Sequence, residues 1–87
     1  MPRILIADSN QLVACGLQAT LRSHGFKEVV GQARTEAEMF ELIEGFAPDL
    51  VILDFVTGGF SVDTIVRLKA QGRIRVLALT DAQRGTT

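Results

Sequence analysis

The chain has a single cysteine, Cys15, in 87 residues. A lone thiol cannot close an internal disulfide, and it lacks the further thiols of a Cys-rich zinc site. An excess of one charge is also missing. Nine basic residues against ten acidic ones leave a formal net charge of −1, so bulk electrostatics argue against direct nucleic-acid binding and against membrane binding. Arg67, Lys69, Arg73, Arg75 and Arg84 gather in the last third and read as ordinary solvated surface. No run approaches the roughly 18 apolar residues of a membrane span. The apolar stretch 4–7 is far too short for a secretory signal. Repeats and low-complexity tracts do not occur, and no glycine-rich phosphate loop follows the first apolar run. With 47% apolar residues the composition is that of a globular domain, not a disordered tail, and a reducing, cytoplasmic setting is expected.

What is present is alternation. Ile4-Leu5-Ile6-Ala7 is a short continuous apolar run that stops at Asp8. Such runs suit strands covered on both faces, as in a parallel sheet. Ser9 and Asn10 are good helix N-caps. Val13, Leu17 and Leu21 then recur at helical spacing, widened by Leu12 and Ala14, until Gly25 supplies a stop. Cys15 falls inside this pattern and is expected to be a small buried hydrophobe. Gly16 costs the helix about 1 kcal/mol relative to alanine, which a close contact would explain. His24 sits at the end of the helix, where a cation complements the dipole.

A second strand is expected around 28–31. Thr35-Glu36-Ala37-Glu38 has the pattern of a capping box. Met39, Leu42, Ile43 and Phe46 follow at helical spacing before Pro48 forbids continuation. Leu50-Val51-Ile52-Leu53 is the most hydrophobic run of the chain and ends at Asp54. The segment 56–61 reads as a turn around Gly58-Gly59. Ser61 caps a third helix with Ile65 and Leu68 facing inward, ending near Gly72, and 75–80 reads as a fourth strand. The five phenylalanines are assigned to packing, with Phe55 and Phe60 open to a second use as a contact surface beside Asp54. The order β-α-β-α-β-α-β predicts an α/β fold, an open doubly wound parallel sheet of four strands and three helices in the order 2-1-3-4. Residues 1–81 form the domain, and 82–87 are expected to be a disordered tail.

In such sheets the working residues collect beyond the carboxyl ends of the strands. Asp8, Asp54 and Thr80 end the first, third and fourth strands. An aspartate there is by itself often only a turn residue or a cap. Three polar residues on one rim favour chemistry. Two carboxylates suit Mg²⁺, a hard cation that prefers oxygen ligands, and a carboxylate can attack a phosphoryl group to give an aspartyl-phosphate.

Three segments carry a resemblance to a known family. They are Arg3-Ile4-Leu5-Ile6-Ala7-Asp8 with Leu12-Val13 and Gly16-Leu17, Pro48-Asp49-Leu50-Val51-Ile52-Leu53-Asp54, and Val76-Leu77-Ala78-Leu79-Thr80. Together they resemble the receiver domain of two-component response regulators, in the spacing found with LuxR-type DNA-binding regulators. The resemblance covers residues 3 to about 81. It implies that Asp54 is the phosphoacceptor and a metal ligand, that Asp8 and the backbone carbonyl of Val56 complete the Mg²⁺ contacts, and that Thr80 is the switch hydroxyl. A histidine kinase or phosphotransfer protein is the implied donor, and a transcriptional regulator the implied context. The chemistry implied is at most transient acceptance of phosphate, not that of a turnover enzyme.

Three departures qualify it. Ser9 stands where the family has a second acidic residue, which weakens Mg²⁺ binding. Thr57-Gly58-Gly59 replaces the usual Met-Pro-Gly. A fifth strand with its lysine, and the helices flanking it, are expected from the family and have no counterpart in these residues; neither Lys27 nor Lys69 falls where that lysine would be. The fourth strand is therefore expected at an exposed edge, which invites self-association. Ser9 and the absent lysine favour an alternative, a pseudo-receiver that serves as an interaction module without phosphorylation.

Overall fold

The apolar runs of the sequence become the strands of one parallel sheet. The computed structural model describes residues 2–55 and 59–79. Its elements are β1 (Ile4–Ala7), α1 (Gln11–Ser23), β2 (Val29–Ala33), α2 (Glu36–Phe46), β3 (Leu50–Asp54), α3 (Val62–Lys69) and β4 (Arg75–Leu79). The strand order is β2-β1-β3-β4, and all three pairings are parallel, as the sequence predicts. Expected residues 80–87 and the Val56–Gly58 part of the turn lie outside the described residues.

The side-chain period of two divides β1 and β3 between two cores. Leu5, Ala7, Val51 and Leu53 face α2 and α3, where Met39, Ile43, Phe60 and Leu68 meet them. Ile4, Ile6 and Ile52 face α1 through Ala14, with Leu17 and Leu21 packed alongside. Both faces of β1 and β3 are thus covered, which is why their sequences are continuously apolar instead of alternating.

Helix starts follow local chemistry. Asn10 caps α1, its side-chain oxygen accepting from the Leu12 and Val13 amides at 3.0 and 3.2 Å. Thr35 Oγ1 caps α2 by accepting from the Glu38 amide at 3.1 Å. The reciprocal bond differs from the expected box, because Glu38 Oε1 accepts from the Arg34 amide at 2.8 Å, one residue before the cap. Ala47 ends α2 in the left-handed region (φ 47°), ahead of Pro48. Gly25 follows α1 at φ 92°, a conformation that costs glycine little.

Several packing expectations are corrected. Cys15 is exposed, not buried. Ala14 is the residue of α1 turned to the sheet, and the next residue lies about 100° further round the helix. The Cys15 thiol instead lies 3.8 Å from Gln32 Oε1, at the β2 edge. Leu12 (82% exposed) and Val13 do not join the inner stripe, for the same rotational reason. A Cβ at Gly16 would meet nothing within 4 Å, so no close contact explains that glycine. Phe46 and Phe26 are exposed, whereas Phe60 is buried and belongs to the core instead of to a contact surface beside Asp54. The second strand runs further than expected, to Ala33, because Gly31, Gln32 and Ala33 pair with Leu5, Ile6 and Ala7. Within α3, Thr64 and Leu68 are the buried residues, and Ile65 is only partly covered.

Candidate functional site

The rim at the carboxyl ends of β1 and β3 is set by backbone register. Ala7 of β1 pairs with Leu53 of β3, so the residues that follow them, Asp8 and Asp54, stand at adjoining strand ends. On the other flank Asp54 pairs with Leu79. Both aspartates are nearly closed to solvent, at 1% and 3% exposure, although each terminates a strand. The Asp8 amide donates to the Ala33 carbonyl at 2.8 Å, prolonging the β1–β2 ladder by one residue. Asp8 Oδ1 then accepts from the Asn10 amide at 2.8 Å, a local turn that hands the chain to the cap of α1. The Phe55 amide donates to the Leu79 carbonyl at 3.0 Å, fixing the direction in which the chain leaves Asp54.

Gly59 approaches this corner from the far side of the turn. A Cβ at Gly59 would lie 3.3 Å from Ser9 Cβ and 3.6 Å from Ser9 Oγ, and its φ of 85° is one that residues with side chains rarely adopt. The backbone conformation favours glycine there, and a side chain would in addition press on Ser9. The structure therefore brings together Asp8, Ser9, Asp54 and Gly59. The Val56 carbonyl and the Thr80 hydroxyl, named from the sequence, lie outside the described residues.

Whether this corner suits Mg²⁺ rests on its donors. Buried carboxylates are costly as anions unless a partner or a cation offsets the charge. Two carboxylates plus water are a sufficient protein contribution for Mg²⁺. Asp8 and Asp54 fit that chemistry. With Ser9 beside them, no group of three or more His, Cys, Asp or Glu residues suited to a metal forms among the described residues. Lys69 is engaged elsewhere: its Nζ donates to the Ile74 carbonyl at 3.3 Å, in the turn that leads into the start of β4.

Sequence reasoning missed a polar tie beside the corner. Thr64 Oγ1 donates to Glu36 Oε2 at 2.6 Å and accepts from the Ser61 amide at 3.0 Å. The Glu36 side chain also pairs with Arg67, whose guanidinium lies 5.2 Å from the centre of the Phe40 ring. The two ends of the tie are 28 residues apart, and no local pattern links them.

Comparison with known proteins agrees with the fold. The receiver domain of a modulated diguanylate cyclase from Desulfovibrio desulfuricans G20 superposes with a TM-score of 0.82 and 27% identity over 95% of this chain and 67% of that one. The transcriptional regulatory protein PdtaR of Mycobacterium tuberculosis is 44% identical over 52 residues, which are 60% of this chain and 25% of PdtaR. LiaR of Bacillus subtilis, also a transcriptional regulatory protein, is 34% identical over 59 residues, 68% of this chain and 28% of LiaR. The chain belongs to the response-regulator receiver domains. No family model matches it. This receiver domain spans only about a quarter of the length of the two regulators it matches. Its sheet order is that of the flavodoxin-like receivers, and no helix among the described residues is long and apolar enough to cross a membrane.

Proposed function

We propose that this receiver domain accepts a phosphoryl group on Asp54 from a histidine kinase or a phosphotransfer protein, within a cytoplasmic transcriptional regulator. The observation that supports this best is the register that sets two buried carboxylates, Asp8 and Asp54, on adjoining strand ends. In the step proposed, an Asp54 carboxylate oxygen forms a bond to phosphorus. The phosphorus–nitrogen bond of the donor phosphohistidine breaks, its electron pair stays on the imidazole nitrogen, and the imidazole is released. Asp8 and Asp54 would hold Mg²⁺, with the Val56 carbonyl as a third contact, and bound Mg²⁺ offsets charge on the transferring oxygens. Asp8 is oriented for that task by the Asn10 amide. The hydroxyl of Thr80, the next residue in sequence after Leu79, would hydrogen-bond the new phosphoryl group. Ser9 supplies a neutral oxygen in place of a charge, which lowers Mg²⁺ affinity.

Incubation with acetyl phosphate and Mg²⁺ followed by intact-mass measurement tests the reading. One added phosphate that disappears in Asp54→Asn is the expected result. A folded chain that gains none overturns it and favours the pseudo-receiver, an interaction module with no phosphorylation, toward which Ser9 points.

Self-association through β4 is part of the same proposal. Among the described residues no strand pairs with the outer side of β4, and Leu77 is 51% exposed beside that open ladder. A concentration-dependent dimer by sedimentation at tens of micromolar (about 10–50 µM) is expected, since an open ladder is a template for pairing with a second chain. A monodisperse monomer would count decisively against it.

A further inference from the structure

The polar tie between α2 and α3 is the feature that the phosphoacceptor chemistry leaves unexplained. Thr64 is fully buried, yet its hydroxyl is used in both directions. It accepts the Ser61 amide, the last residue before α3, and donates to the Glu36 carboxylate at 2.6 Å, the length of a charge-assisted bond. The carboxylate is gripped from its other oxygen by Arg67, itself laid over Phe40. Glu36 is the first residue of α2, directly after the cap Thr35. The tie therefore joins the two places where the chain turns from the carboxyl ends of β2 and β3 into helices.

Its reach extends to the acidic corner. Ser61 is held by Thr64, the preceding Phe60 is buried in the larger core, and Gly59 before it lies close enough to Ser9, the neighbour of Asp8, that a Cβ there would come within 3.3 Å of Ser9 Cβ. Ser61 and Gly59 are themselves exposed, but Phe60 between them is anchored in the close-packed core, so a displacement at Ser61 reaches Gly59 through only two peptide units. We infer that Thr64 and Glu36 are positioning residues for the Asp8–Asp54 corner, acting through Ser61 and Gly59 to hold Ser9 and Asp8 in place. The inference rests on the phosphoacceptor reading for its consequence but not for its test.

Two measurements on the same variants decide it. Amide hydrogen exchange reads the geometry directly, because the Asn10 amide donates to Asp8 and reports how firmly that carboxylate is held. Thr64→Val, which keeps shape and removes the hydroxyl, speeds exchange at both Ser61 and Asn10 by about tenfold, the scale of one lost buried hydrogen bond. Thr64→Ser restores both to within about twofold, and Glu36→Gln, which keeps an acceptor without its charge, lies between. Ile43→Val, a core change of similar cost, leaves the Asn10 rate relative to the global opening rate unchanged. The initial rate of phosphate uptake from acetyl phosphate falls in the same order across the series. Faster exchange at Ser61 with no change at Asn10 overturns the inference. If the wild-type chain takes no phosphate, the phosphoacceptor reading fails, and exchange at Asn10 still decides the role of Thr64. If it takes phosphate at the same rate in Thr64→Val, the reading stands and the positioning role falls.

Discussion

The two strands that flank β3 make the same kind of hydrogen-bonded ladder and have opposite fates. β1 pairs with β3 from Ile4–Leu50 to Ala7–Leu53 and is wholly buried. β4 pairs with β3 from Leu50–Arg75 to Asp54–Leu79, and none of its five residues is buried. Apolar composition does not separate them, since Val76-Leu77-Ala78-Leu79 is as hydrophobic as Ile4-Leu5-Ile6-Ala7. Cover does. β1 lies beneath α1 on one face and α2 on the other, whereas β4 is only partly covered, through Val76 on one core and Leu79 on the other. A hydrophobic run reports that a strand can be buried, and the helices decide whether it is.

The contrast can be broken first at β3. Leu53 is fully buried between the strands and the helices, and Leu53→Ala is expected to cost about 3 kcal/mol in urea-induced unfolding, the range for a core leucine whose site relaxes only partly. A loss below about 1 kcal/mol would mean that the described core is far looser than its burial implies. The helix that covers β1 offers a smaller change of opposite sign. Gly16→Ala places a methyl group where nothing lies within 4 Å, in a helical backbone, and is expected to stabilise by about 0.8 kcal/mol. A destabilisation would show that the α1 surface is occupied in solution. The smallest effect belongs to β4: Leu77→Lys should shift monomer stability by less than about 0.5 kcal/mol. In the sedimentation experiment, the same charge on the strand should abolish self-association.

Much of the fold was legible because the three apolar runs that become β1, β3 and β4 are short and sharply ended. Two of them end at acidic residues, and a parallel sheet converts that punctuation into proximity, so Asp8 and Asp54 meet through the register of β1 on β3. The limits of legibility are rotational and long-range. On α1 the apolar residues outnumber the positions that can face the sheet, and spacing alone did not reveal that Ala14 faces inward while Leu12, Val13 and Cys15 face out. The extension of β2 was hidden because Gln32 and Ala33 are not strand formers locally, and their pairing with Ile6 and Ala7 overrides that tendency. The Thr64–Glu36 tie was invisible for a different reason. A threonine in a short helix and a glutamate at a helix start each have a sufficient local explanation, and only the fold sets one against the other. The Val56 and Thr80 assignments fall outside the described residues and rest on family resemblance.

The outward placement of Cys15 has a practical consequence. As the only sulfhydryl in the chain, standing on α1 next to Gln32 of β2, it offers one defined attachment point for a fluorophore or spin label. A probe there would sit over the edge of the sheet where β2 lies. It would therefore report on the β2 flank of the sheet from a single, known position.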